Sequence, residues 1–386
     1  MKRTITILTI ALVGLSACTE TNLMPDGVHK GRQIQFTLSP IKTTQTRAAT
    51  ITAFDQSQTF GSTAYAIDTT VNKSYDWLNN STDATVTAIE KKEISYQSGV
   101  WRSKDNTSYW WDDFAGKKLT FLSWNPMTFS NTLVNSDNLT IKDQSKTTGS
   151  STVNYKDFNY PEWKVSATAG FGYTKDTDGN YIRKTDDGSV DLLLAKSADC
   201  TEKNSSNGVL TQFYHQLCNV KFLASIVDEP QNGEKWYVTK VELTDIYTQA
   251  DLVKAATQDV YSGIWSGHTA SSTYTYDLSS SPIELKHTDP ATDQEIFPQT
   301  LMIPQSVFSE NGRTPTIKIT YTNENNDSKT MAGALATNSQ TDLTVWYAGK
   351  SITYHINIST MDYWIDFSAS VESWTDGNGY QITIGN

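Results

Sequence analysis

The cleanest hydrophobic pattern in the chain lies near its end. Ile352, Tyr354, Ile356 and Ile358 alternate with Thr353, His355 and Asn357. A period of two predicts a half-buried β-strand. Ile365, Phe367, Ala369 and Val371 repeat the pattern. Tyr380, Ile382 and Ile384 repeat it again after Trp374 and a Thr375-Asp376-Gly377 turn. Near the start, Ile34, Phe36 and Leu38 alternate with Gln33, Gln35, Thr37 and Ser39, and Pro40 closes that strand.

Between these ends, strands are predicted over 62–67, 85–96, 99–102, 108–111 and 118–125, in a Ser/Thr/Asn/Asp background. Residues 132–152 are polar and predict a long loop. Asp178-Gly179, between Tyr173 and Tyr181-Ile182, predicts a tight hairpin. The apolar run 190–195 fits a buried strand or one helical turn. Phe213, His215 and Leu217 share one face and Cys218, Val220 and Phe222 the next, a slip of phase that predicts a β-bulge. Val241-Leu243 and Ile317-Ile319-Tyr321 continue the pattern. No long stretch carries a 3.6-residue period. Many short strands at this spacing predict an all-β chain of antiparallel β-sandwiches, and a length of 386 residues suggests two or three domains. Asn204 to Gly208 is the best linker by composition.

The N-terminus has a different character. Lys2 and Arg3 precede an apolar run from Ile5 to Leu15, too short for a stable membrane anchor. Leu15-Ser16-Ala17-Cys18 has the form of a bacterial lipobox, in which a diacylglycerol is attached to the Cys18 sulfur and small residues let the signal peptidase close on the chain. Two or more acyl chains hold a protein on a membrane stably. From Lys42 the chain is polar as far as Arg47, and Ala48-Ala49 follow. That stretch reads as an exposed, cleavable loop.

Composition narrows the function classes. Aromatic content of 11% suits sandwich cores, and a net charge of −11 spread without a block argues against nucleic-acid binding. Cys200 and Cys218 are the cysteines outside the lipobox. An oxidising compartment permits a bridge between them, with two buried free thiols as the alternative. The five histidines show no metal spacing, and His215 is patterned inward as a core histidine. Asp176-x-Asp178-x-Asn180 begins like a calcium loop, but Tyr181 stands where Gly is needed and Asp187 where Glu is needed. Trp101, Trp110, Trp111 and Trp124 fit strand cores better than a sugar-stacking platform. No catalytic motif, cofactor signature or metal set stands out, so the chain reads as a non-enzyme.

Several segments together resemble the fimbrillins, the lipoprotein-precursor subunits of type V pili. They are the lipobox, Arg47-Ala48 after a first strand, the run from Phe213 to Val220, Pro298-Gln299-Thr300-Leu301, the run from Ala348 to Tyr354, and the run from Val371 to Gly377. The resemblance implies two transthyretin-like antiparallel β-sandwich domains in series, at 48–205 and 206–386. A lipoprotein signal peptide at 1–17 and a pro-segment at 18–47 precede them. It implies export to the outer membrane and cell surface as an acylated precursor, cleavage between Arg47 and Ala48 by a trypsin-like protease, and partners that are other fimbrial subunits. Cleavage removes the strand of Ile34, Phe36 and Leu38, and a neighbour's strand fills the groove by donor-strand complementation. Residues 365–386, with Ile365, Phe367, Val371, Ile382 and Ile384, are the candidate donor. The alternative is a surface lipoprotein that binds glycan or host protein without polymerising.

Overall fold

The computed structural model describes residues 31–39, 56–68, 86–184, 186–229, 233–254, 264–287, 293–310, 312–336, 344–361 and 365–373. In chain order, the first strands are β1 (Phe36–Leu38), β2 (Thr59–Asp68), β3 (Val86–Gln97), β4 (Val100–Ser103), β5 (Lys117–Asn125), β6 (Thr140–Thr148), β7 (Ser151–Lys164), β8 (Tyr173–Lys175), β9 (Tyr181–Arg183), β10 (Leu193–Cys200), β11 (Val209–Thr211) and β12 (Tyr214–His215). The later ones are β13 (Cys218–Ile226), β14 (Trp236–Leu252), β15 (Trp265–Asp277), β16 (Ile283–Glu284), β17 (Gln294–Met302), β18 (Gln305–Ser306), β19 (Thr316–Asn323), β20 (Ser328–Ala334), β21 (Val345–Trp346), β22 (Lys350–Ile358) and β23 (Ile365–Ser373). Among the described residues there is no α-helix, and two short 3-10 turns interrupt the strands. The protein is all-β, as the alternating pattern predicts.

Eight strands form the first sheet in the order β11-β1-β4-β3-β2-β5-β10-β12. Its central strand β5 is apolar on both faces because each face covers a core. Leu119 and Phe121 enter one core with Phe60, Trp101 and Phe213. Leu122 and Trp124 enter the other with Phe158, Trp163 and Trp265. The same logic resolves the run 190–195: Leu193 and Ala195 point into the first core, Leu192 and Leu194 into the second. The sheet curls until its distant members meet, and Ser197 on β10 donates a 2.7 Å hydrogen bond to the Leu210 carbonyl on β11.

The third core lies between the four-stranded sheet β17-β13-β22-β23 and the seven-stranded sheet built on β14. Phe222 on β13 stacks on Tyr354 of β22 at 4.7 Å. Strand β14 serves two cores: Trp236 to Ile246 feed the third, Ala250 and Leu252 the second. Among the described residues, strand pairs are antiparallel except β1 with β11 and β13 with β22.

Three sequence readings change. The polar stretch 132–152 is not a long loop, because β6 pairs with β7 from Thr140↔Asn159 to Thr148↔Ser151. β6 carries one apolar residue, Ile141, so no alternation marks it. The phase slip after Leu217 is not a bulge. β12 belongs to the first sheet and β13 to the four-stranded one, so the chain changes sheet at Gln216-Leu217. The polar run 204–208 is the turn from β10 to β11 within one sheet, so the linker read there from composition is a loop of the first sheet.

Candidate functional site

The first strand occupies a slot in the curled sheet. β1 pairs in parallel with β11, Phe36 opposite Val209 and Leu38 opposite Thr211, and antiparallel with β4 at Phe36↔Trp101. The peptide nitrogens of Ile34, Trp111, Val209 and Ser39 donate to the carbonyls of Tyr109, Arg32, Gln35 and Thr211 at 2.7–3.0 Å. Both edges of the segment are therefore satisfied by main chain. Ile34 and Phe36 are 4% and 6% exposed. The Phe36 ring meets Phe60 and Phe121 edge-on at 5.6 and 5.4 Å. Leu38 is partly buried against the same core. Each fully buried side chain of this size contributes roughly 1.5–3 kcal/mol. Removing the segment strips both β4 and β11 of a partner and opens an apolar slot lined by aromatic rings.

Polar contacts tie the segment to the loop between β10 and β11. The Arg32 guanidinium donates to the Ser206 carbonyl at 3.0 Å and the Glu202 carbonyl at 2.7 Å. The Arg32 amide and Nε reach the Glu202 carboxylate at 3.0 and 3.4 Å. Thr37 donates to the Asn207 carbonyl. Gly208 holds φ +100, and a Cβ there would meet Thr37 Oγ1 at 2.6 Å and the Phe36 carbonyl carbon at 3.1 Å. Glycine is what lets β11 lie this close to β1. The sequence reading found Ile34, Phe36 and Leu38. It missed the other half of the slot, because Asn204 to Gly208 looked like a linker and β11 is only three residues long.

The remaining expectations divide. Cys18, Arg47, Ala48, Ile382 and Ile384 lie outside the described residues. Ile365, Phe367 and Val371 sit on β23, which pairs with β22 from Lys350↔Ser373 to Ile358↔Ile365. Ile365 and Val371 pack against the third core. To act as a donor this strand would have to leave its own sheet. Cys200 and Cys218 are free buried thiols, so no bridge joins them. Cys200 belongs to the core around β1 and Cys218 to the core of the four-stranded sheet. Burial pushes the Cys200 thiol up to about 11 and the Cys218 thiol further.

His215 is 2% exposed, and its Nδ1 lies 2.9 and 3.0 Å from the Asp191 carboxylate oxygens. Burial pushes the Asp191 carboxyl up, but the charge and hydrogen bond of His215 outweigh it and hold the group below the usual carboxylate range. The Asp176 loop is a hairpin turn, with Asp176 accepting from the amides of Asp178 and Asn180 at 3.0 and 2.8 Å. Trp101, Trp111 and Trp124 are buried and divided between two cores, so they form no shared platform.

Residues 46–374 match the family described as fimbrillin-like. No curated protein matches the chain. Solved structures that resemble it include a fimbrial protein from Bacteroides vulgatus, at 16% identity and a TM-score of 0.47, covering 82% of this chain and 93% of that one. A fimbrilin from Porphyromonas gingivalis matches at 7% identity and a TM-score of 0.43, over 90% and 98% of the two chains. The tip fimbrial protein Mfa3 from Porphyromonas gingivalis, with a C-terminal truncation, matches at 12% identity and a TM-score of 0.35, over 82% and 95%.

Proposed function

The chain belongs to the fimbrillin-like family, and from that premise we propose that it is a structural pilus subunit assembled by strand replacement. In this reading Cys18 carries the lipid that holds the precursor on the outer membrane. A trypsin-like protease then cuts between Arg47 and Ala48, and the segment bearing β1 leaves. A strand from a neighbouring subunit enters the vacated slot.

The observation that carries the reading is the seat of β1. A short strand is held along both edges, buries Ile34 and Phe36 among aromatic rings, and is followed by a basic cleavage candidate. The family match covers residues 46–374 and so starts after β1. An incoming strand needs apolar side chains at alternate positions, and Tyr380, Ile382 and Ile384 have that spacing. Because β23 is committed to β22, the donor is assigned to the residues that follow Ser373.

The test is N-terminal sequencing of protein recovered from the cell surface, beside an Arg47→Ala variant. A start at Ala48, with SDS-resistant oligomers that the variant does not form, is the expected result. A chain that still begins at acylated Cys18 in assembled fimbriae would sink the reading.

A further inference from the structure

A second site lies on the other face of the first sheet, away from the β1 slot. Strands β2 and β3 form one wall of a cleft, and the segment that leads into β6 forms the other. Its volume is about 420 Å³, within the range of small-molecule sites. Apolar surface reaches the cleft from Tyr65, Met127 and Ile141, which are partly buried, while Trp124, Leu139 and Phe158 beside them are enclosed. The mouth is polar and exposed, with Glu90 and Lys91 on one side and Asp137 on the other.

The backbone at the mouth departs from the regular ladder. Ser62 pairs with Lys92 and Ala64 with Ile89, so Glu90 and Lys91 together oppose Thr63. That count is a β-bulge, a device that re-aims side chains and is concentrated beside functional sites. Lys91 takes φ +41, an unusual value for a residue with a side chain. Its amide donates to Thr63 Oγ1 at 3.1 Å, which holds the bulge in place.

The lining chemistry selects the ligand. Tyr65 projects into the cleft, and burial, with Asp143 and Glu90 nearby, pushes its hydroxyl up, so it remains a neutral donor. The Lys156 ammonium already lies 5.3 Å from the centre of the Tyr65 ring and pairs with Asp143 at 2.8 Å. The cation position over that ring is therefore filled from within the protein. At the mouth, two carboxylates face one ammonium, which favours neither a strong anion nor a multivalent cation. Carboxylates, hydroxyls and an ammonium around these partly exposed apolar side chains suit a ligand with many hydroxyls and apolar C–H faces. We propose that the cleft between β2–β3 and the 136–141 segment, with the Glu90-Lys91 bulge at its mouth, binds neutral carbohydrate. Glu90 and Asp137 accept from sugar hydroxyls, and Tyr65, Met127 and Ile141 take the ring's apolar face. This site is independent of β1 and of any cleavage at Arg47.

The purified full chain is to be applied to a printed array of neutral, sialylated and sulfated oligosaccharides, and the strongest neutral ligand titrated by calorimetry. Retention of neutral glycans is expected, with Glu90→Gln and Asp137→Asn each weakening binding at least tenfold. Both residues are exposed, so their variants should melt with the wild type. Thr87→Trp, which fills the mouth, should abolish binding. The proposal is overturned if no neutral glycan is retained, if only charged glycans bind, or if all three variants bind as the wild type does.

Discussion

At the scale of single residues, two buried groups near the change of sheet invite measurement. Asp191 and His215 pair at 2.9 Å, with the imidazole almost fully enclosed. Removing one partner from such a pair leaves the other buried and uncompensated, at a cost of about 3–5 kcal/mol. His215→Ala is therefore expected to lower Tm sharply, and Asp191→Asn to do so by a comparable amount. The pH dependence has a definite sign. The Asp191 carboxyl titrates lower in the folded state than in the unfolded one, so its stabilisation is present above the unfolded carboxylate range. It is lost as pH falls through the lower folded value. Acid melts should show the wild type and Asp191→Asn converging below about pH 4. Curves that stay parallel through that window would contradict the pairing. The thiols supply a second check. With Cys200 raised to about 11 by burial and Cys218 enclosed as well, neither should react with a thiol reagent at pH 8 until denaturant is added. Reductant should leave Tm unchanged, since no bridge exists to break.

At the scale of elements, two features of the β1 seat can be changed singly, one ring and one missing side chain. Phe36 touches Phe60 and Phe121, and large-to-small changes of a buried Phe cost about 3–5 kcal/mol. Phe36→Ala in the uncut protein should weaken the strand's hold, read as faster hydrogen exchange at the Val209 amide, which donates to Gln35 at 2.7 Å. Gly208→Val should do the same by steric conflict with Thr37, while strands β13 and β22 keep wild-type protection. Equal loss of protection throughout the molecule would mean that β1 is an ordinary part of the core and not a separable element. How much of this the sequence reveals depends on the environment of each strand. β22 is legible because one face is buried and the other is wet, so Ile352 to Ile358 alternate cleanly. β1 is legible for the same reason. β14 shows only as Val241-Leu243, because register shifts between Val238 and Lys240 and between Leu243 and Ile246 break its phase over 17 residues. β6 hides because Ile141 is its one apolar residue, and β7 because the bulge opposite Asp251 breaks the phase between Tyr160 and Trp163. Arg32, Glu202 and Gly208 could not be joined by pattern at all, since the fold brings together residues about 170 positions apart.

At the scale of the whole molecule, the question is which part of the chain can be lent to a neighbour. β23 is an edge strand of the four-stranded sheet, and Ile365, Ala369 and Val371 help to cover the third core. Lending it would uncover β22 and that core in the donor subunit, so the gain in one subunit would be offset by loss in the other. No described core residue lies beyond Ser373, so lending a segment from there uncovers none of them. This separates two truncations. A chain ending at Ser373 should fold with unchanged Tm, accept strands from intact subunits, and fail to polymerise alone into SDS-resistant ladders after cleavage at Arg47. A chain ending at Thr360 removes β23, exposes the β22 edge to unspecific pairing, and should lose several kcal/mol through the uncovered side chains. Mixing the first truncation with full-length subunits should cap growing polymers, shortening the ladder in proportion to the fraction added. If the chain ending at Ser373 polymerises as well as the full chain, the donor lies elsewhere and the assignment to the terminal residues is wrong.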